Sequence, residues 1–450
     1  MASNRVTAMT KRTNFSRYDS RFLLKAVMIL SAVFLLSACA ATGRPLMPAP
    51  NVYTQPGAPE LFTDLPPELK GSELDILYIT DRAPETDEEG NLAYGYDRSR
   101  STAFGSAVID IRPGMAWEAL EKASLEAERS TDLTLELAAI TELGRFPATP
   151  ARVTTIEGTT QVHPEDVRIT RETGELFRRE LLRRLALAPK DEVLMFVHGF
   201  NNDFDDAAYT LAELWHYMGR QQVPILYTWP AGRGGASGYI YDRESGEFTV
   251  HHLKNVIREL SSIPEIETFH MIAHSRGTDV LSSAVRELAQ VGRAGGQELG
   301  EEFRNSHIIL AAPDLDMDVV SQRIIAEQLG RETKNITIYT SQSDKAIGLA
   351  ERFFKSVKRV GRLGVEDLSE TDLSSFEQIE GVSIIDLQAD SDPGTGHGYF
   401  HSDPAASSDL ILMVRYGKEP GAENGRPLVP GPAGFWQIEP GYPGGEIQQD

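Results

Sequence analysis

Five residues of this chain carry groups fit for chemistry and stand just beyond apolar runs: His198, Ser275, Asp314, Asp344 and His397. Ser275 has the most informative surroundings. Phe269, Met271, Ile272 and Ala273 before it read as a short buried strand, and Val280, Leu281, Ala284, Val285 and Leu288 after it recur at helical spacing. A serine on a strand–turn–helix junction, with small residues two before and two after it, is the pattern of a nucleophile elbow. Here those residues are Ala273 and Gly277. The helix that follows would point its N-terminus at the serine and favour negative charge developing there. The same serine could instead simply N-cap an ordinary helix, so the rest of the chain must decide.

The elements that would position these residues alternate between strands and helices. Apolar runs at 74–80, 103–111, 193–197, 224–229, 307–312, 336–340 and 382–387 join 269–273 as strands. The run at 193–197 is continuously apolar, as in a parallel sheet buried on both faces. Helical patterns lie at 172–187 and 207–219. Arg178, Arg179, Arg183 and Arg184 on the first read as a solvated helix face, with lipid headgroups as the other reading. The alternation predicts a doubly wound, mostly parallel sheet flanked by helices, with functional residues at the carboxyl ends of its strands. Residues 115–145, read as two helical stretches, form an insertion. That insertion and the loop at 231–241 are the candidates for covering a substrate.

The N-terminus carries a separate signal. Five basic residues from Lys11 to Lys25 precede an apolar run at 26–36, too short to span a bilayer comfortably. The run ends at Cys39, the single cysteine of the 450 residues. Leu36, Ser37, Ala38 and Cys39 resemble a bacterial lipobox, which implies a signal peptide over 1–38 and a lipidated Cys39. An uncleaved anchor with an incidental cysteine is the alternative. Ala40 in place of aspartate implies, by the same resemblance, the outer membrane, facing the periplasm. Residues 39–72, rich in proline, glycine and alanine, read as a flexible tether. The domain proper then runs over 73–418, and residues 419–450 form a Gly/Pro-rich tail that Trp436 would dock onto the domain. The net charge of −22 excludes a nucleic-acid partner, whose phosphates demand a basic surface.

The stretches 77–83, 196–201, 227–230, 273–277, 310–314 and 396–400 together resemble the α/β-hydrolase superfamily. They are most similar to a bacterial branch catalogued as domain of unknown function 900 and loosely labelled esterase/lipase, over about residues 74–416. The resemblance implies a chain order of nucleophile, acid, then histidine. Ser275 then takes His397 as its base, with His401 the alternative; His397 also matches the family position. The acid is Asp344, with Asp314 the alternative and Asp316 behind it. The backbone N–H groups of Phe200, after Gly199, and of Arg276 would form the oxyanion hole. Arg276 is bulky where relatives carry smaller or neutral residues, so it would narrow the pocket or draw acidic substrates.

His198 and His274 flank the site and read as hydrogen-bonded structural residues. His251 and His252 lack a partner carboxylate or third ligand at metal spacing, so no metal is expected. No glycine-rich phosphate loop follows the first strand, so no nucleotide is expected, and no cofactor is called for. The expected activity is cleavage of an ester or thioester of a small acyl or lipid-like substrate through Ser275, His397 and Asp344. A non-catalytic envelope binding or scaffolding lipoprotein on the same fold is the alternative.

Overall fold

The computed structural model describes residues 43–444, apart from 295–302, 304, 355–357, 369, 371–375, 377–378 and 389–394. Cys39, the lipobox and the signal segment lie outside the described residues, as do 445–450. Among the described residues no helix is long and apolar enough to cross a membrane.

One twelve-stranded sheet organises the chain from Arg44 onward. Its strands are β1 (Arg44–Pro45), β2 (Glu73–Thr86), β3 (Leu92–Arg112), β4 (Thr134–Arg145), β7 (Glu192–Val197), β8 (Val223–Thr228), β9 (Thr268–His274), β10 (Ser306–Ala311), β11 (Asn335–Thr340), β12 (Val382–Leu387), β13 (Val429–Pro430) and β14 (Phe435–Ile438). The strands β5 (Val153–Ile156) and β6 (Thr159–Val162) form a separate exposed hairpin. The order across the sheet is β1-β4-β3-β2-β8-β7-β9-β10-β11-β12-β14-β13. From β2 to β14 every neighbouring pair is parallel. The antiparallel strands β3, β4 and β1 close one edge and β13 the other.

Both faces of the parallel strands are dry. In β7, Leu194 and Phe196 enter one core cluster, while Val193, Met195 and Val197 enter the other. That period of two, all apolar, is the signature of a strand sandwiched between helix layers. The first face is covered by α1 (Trp117–Leu125), α3 (Phe204–Tyr217) and α7 (Pro404–Val414). The second is covered by α2 (Pro164–Leu185), α4 (Gly235–Ser261) and α5 (Gly277–Ala294). A shorter helix, α6 (Lys345–Phe354), follows β11.

Four expectations are corrected. From Arg44 the supposed tether is packed: Leu46, Met47, Val52, Tyr53, Leu61 and Leu65 are buried. Arg44 also forms an ion pair with the fully buried Glu213, whose second oxygen accepts from the Met47 N–H at 3.0 Å. Prolines there shape a path over the core; the apolar residues between them hold it down. Second, residues 133–143 are largely strand, not helix. Leucine and alanine favour helix only weakly, and a twelve-residue strand with ten residues paired to β3 overrides them. Residues 115–145 therefore add to one edge of the sheet, held down by the buried Leu120, Leu133 and Leu135.

Third, residues 419–450 are not a loose tail over their described part. They supply β13 and β14, fixed by a buried Arg426–Asp409 ion pair at 2.7 Å. Asp409 also accepts from Tyr339 and Tyr442. Trp436 lies on β14 and packs against the first core. Fourth, the strands at 74–80 and 103–111 belong to a much longer hairpin, since β2 and β3 pair from Glu73 to Thr86. The helix expected over 172–187 begins earlier, at Pro164. Of its arginines, Arg178, Arg183 and Arg184 pair with Glu265, Glu180 and Asp75.

Candidate functional site

The five residues singled out above all follow parallel strands at their carboxyl ends: β7, β9, β10, β11 and β12. Ser275 connects β9 to α5 with φ of 52°. That left-handed conformation is uncommon for a residue with a side chain and marks a strained turn. Two contacts show why this turn needs its glycines. A Cβ on Gly277 would lie 2.3 Å from the His198 carbonyl oxygen and 2.6 Å from that of Val197. A Cβ on Gly199 would lie 2.7 Å from the Ser275 Cβ. The turn after β7 and the turn after β9 are therefore in backbone contact. Ala273, fully buried, completes the small set.

The turn after β7 is the one that offers the Phe200 N–H, and the turn after β9 the Arg276 N–H. Around them the amides are spoken for: Gly199 N–H donates to Asn202 Oδ1 at 3.2 Å, and Asn201 N–H to Asp242 Oδ2 at 3.0 Å. Ser275 N–H donates to Ala311 O at 2.9 Å. Among the described residues, no protein acceptor takes the N–H of Phe200 or of Arg276. Two unengaged amides on abutting turns beside a strained serine are what an oxyanion hole requires.

Asp344 is fully buried after β11. Its Oδ1 accepts from the Ile347 N–H at 3.0 Å in the first turn of α6, and its Oδ2 stands 2.7 Å from His397 Nδ1. The carboxylate can only accept, so His397 carries its proton on Nδ1 and keeps Nε2 as the acceptor. His397 reaches the serine's side of the sheet through its backbone: His274 Nε2–H donates to the His397 carbonyl at 3.0 Å, and the two rings lie 4.7 Å apart.

The alternative residues have other partners. Asp314 is paired with Arg359 at 2.8 Å and accepts from the Tyr239 hydroxyl at 3.1 Å. His401 lies 2.9 Å from Glu213 and contacts Arg44. Asp316 caps the short helical turn behind it, accepting from the Asp318 N–H at 2.9 Å. Both flanking histidines are held neutral. Burial pushes His274 well below the ordinary histidine range. Burial, with the charge of Arg82, does the same to His198. His198 Nδ1–H donates to Gly199 O at 3.0 Å, and its Nε2 accepts from the Trp229 N–H at 3.0 Å.

Arg276 does not present a free cation. Its guanidinium lies 2.6 Å from Asp279, which also pairs with Arg323. Asp279 is shared between two guanidiniums, so the group keeps a net positive charge, with Arg276 held in an ion pair rather than free. The segment at 231–241 enters α4 at Gly235. Its Tyr239 ring lies 5.4 Å from the Phe200 ring and gives the site an aromatic wall.

Two features were missed in the sequence. Arg82, fully buried, holds the ends of three segments at once, donating to Thr228 Oγ1, Gly95 O, Ala231 O and Asn202 O within 2.8–2.9 Å. Burial lowers its pKa to about 10. A lone arginine at the end of an apolar strand was the available signal. His252 does have a carboxylate, Asp81, at 2.9 Å; the partner lies 171 positions away, beyond any spacing rule. Among the described residues no group of three or more metal-ligating side chains is arranged to hold an ion.

A comparison with curated proteins returns no match. The family model described as alpha/beta hydrolase of unknown function (DUF900) matches residues 175–415, more than half of the chain. With the parallel sheet and the serine turn already in place, that match establishes that the chain belongs to this α/β-hydrolase family.

Proposed function

We propose that the protein is a serine hydrolase that cleaves esters or thioesters through an acyl-enzyme. The observation that carries the reading is the 2.7 Å hydrogen bond from His397 Nδ1 to the buried Asp344, with the His397 backbone held by His274, the residue before the strained Ser275. His397 Nε2 accepts the Ser275 proton as Oγ attacks the acyl carbon. The oxygen of the tetrahedral intermediate receives the N–H groups of Phe200 and Arg276. The intermediate collapses by breaking the bond to the leaving group, which takes its proton from His397. Water then enters, loses a proton to His397 and attacks the acyl-enzyme; Ser275 recovers its proton as the acid departs. Asp344 keeps the tautomer and stabilises the imidazolium without itself becoming protonated. The Phe200–Tyr239 ring pair favours an apolar acyl or alkyl group beside the scissile bond.

Turnover of p-nitrophenyl esters of rising acyl length tests this. Hydrolysis by the parent and its loss in folded Ser275→Ala are expected. Inertness across the panel would favour a non-catalytic scaffold. We further propose that Cys39 is lipidated and anchors the protein to the envelope, as the residues before it suggest. Cys39→Ser should abolish lipid labelling and membrane partitioning; a variant that matures and partitions as the parent does would refute the anchor.

A further inference from the structure

A cavity of about 350 Å³ lies between α2, α4 and the β2–β3 hairpin, and none of Ser275, Asp344 or His397 lines it. This volume falls within the range of small-molecule pockets, about 300–1,000 Å³. Its walls are mainly apolar and aromatic: Ile79, Phe104, Phe146, Phe177 and Val256. The Phe104 ring stands 5.1 Å from that of Phe177 and 6.3 Å from that of Phe146.

One buried polar side chain interrupts these walls. His252 lines the cavity and is 5% exposed. Its Nδ1 is tied to Asp81 Oδ2 at 2.9 Å, and that oxygen also accepts from Thr249 Oγ1 at 2.7 Å and Tyr227 Oη at 3.4 Å. The carboxylate fixes the Nδ1–H tautomer, which leaves Nε2 as an acceptor.

Gly174 supplies an independent observation. It sits inside α2, where glycine is a poor helix residue. Packing does not demand it: a Cβ there would meet nothing within 4 Å. Gly174 lines the same cavity, so the missing side chain keeps the space open.

We propose that this cavity is a second ligand site, for a small neutral molecule with an aromatic or alkyl body and one hydroxyl group. The hydroxyl donates to His252 Nε2 and the body fills the space between the phenylalanines. Asp81 behind the imidazole and the net charge of −22 both disfavour an anionic head. Arg258 does not offset them, because its guanidinium is exposed and donates to Asn255 Oδ1 at 3.0 Å.

The probes are 4-butylphenol, butylbenzene and 4-butylbenzoate, titrated calorimetrically into the purified protein and its variants. The phenol should bind saturably, and each of the others about tenfold more weakly, the worth of one net hydrogen bond. Gly174→Leu should abolish phenol binding without lowering Tm or ester turnover, since it fills a cavity that none of Ser275, Asp344 or His397 lines. His252→Phe should reduce phenol affinity to that of butylbenzene. The proposal is overturned by phenol binding that persists in Gly174→Leu, by no saturation at millimolar phenol, or by benzoate binding at least as tight as phenol.

Discussion

Replacing Gly277 with alanine should damage catalysis far more than its single methyl suggests. The new Cβ would sit 2.3 Å from the His198 oxygen and 2.6 Å from the Val197 oxygen. Carbon–oxygen contacts normally stand at about 3.3–3.6 Å, so relief needs roughly 1 Å of movement. Both obstacles are backbone, so no side-chain rotation supplies it; the two turns must part. Overpacking of this kind costs about 1–3 kcal/mol of stability. The larger effect is on geometry, because the Phe200 and Arg276 amides lie on opposite sides of the contact. A displacement of about 1 Å in such a site costs on the order of 10²-fold in rate. The assay is kcat and KM with p-nitrophenyl butyrate, alongside thermal unfolding. The loss should fall on kcat, since the amides act on charge that develops in the transition state. Gly114→Ala, with nothing within 4 Å of its Cβ, is the control and should match the parent. If Gly277→Ala keeps kcat within twofold at unchanged Tm, the reasoning that couples the two turns is refuted.

Asp344→Asn should cost on the order of 10³–10⁴ in kcat by presenting the wrong histidine tautomer. Asp314→Asn should cost much less, because Asp314 is held by Arg359 and Tyr239; kinetics of the folded variants rank the two, and the reverse order would move the acid. Stability should fall as pH drops from about 6.5 to 5, read by denaturant midpoints. His198, His216 and His274 are held well below the usual range by burial, and His307 is lowered to about 3, so the unfolded chain takes up protons there that the folded chain refuses. Each contributes up to about 1.4 kcal/mol per pH unit. Asp205 and Asp386, raised to about 6 by burial, and Asp206 and Asp242, raised by burial too, pull the opposite way and offset part of this. A flat profile across that window would mean these histidines are not buried neutral.

What the sequence revealed follows from how local each constraint is. The serine turn was legible because its strain must be met within five residues, by Ala273 and Gly277 around Ser275. The parallel strands were legible because burial on both faces leaves no polar alternation, as in 193–197. The segment after Gly43 was not: its buried residues are spread among prolines, and composition reported only the prolines. β4 was hidden by leucine and alanine, whose helix preference is small beside a full strand of pairing. β14 is a short strand, recognisable only once β12 stands beside it. Asp81 with His252, and Arg82 with three carbonyls, are contacts across more than ten to over a hundred positions that no pattern along the chain records.

The central claim is that Ser275 and His397 act as one unit, and fluorophosphonate labelling tests it most directly. The parent should be labelled on Ser275, located by peptide mass spectrometry. Folded Ser275→Ala should take no label. His397→Ala should be labelled slower by about the factor its kcat falls, and the Ser275→Ala/His397→Ala double variant should hydrolyse esters hardly worse than either single variant. Label persisting in folded Ser275→Ala, or single losses that multiply in the double variant, would contradict the account.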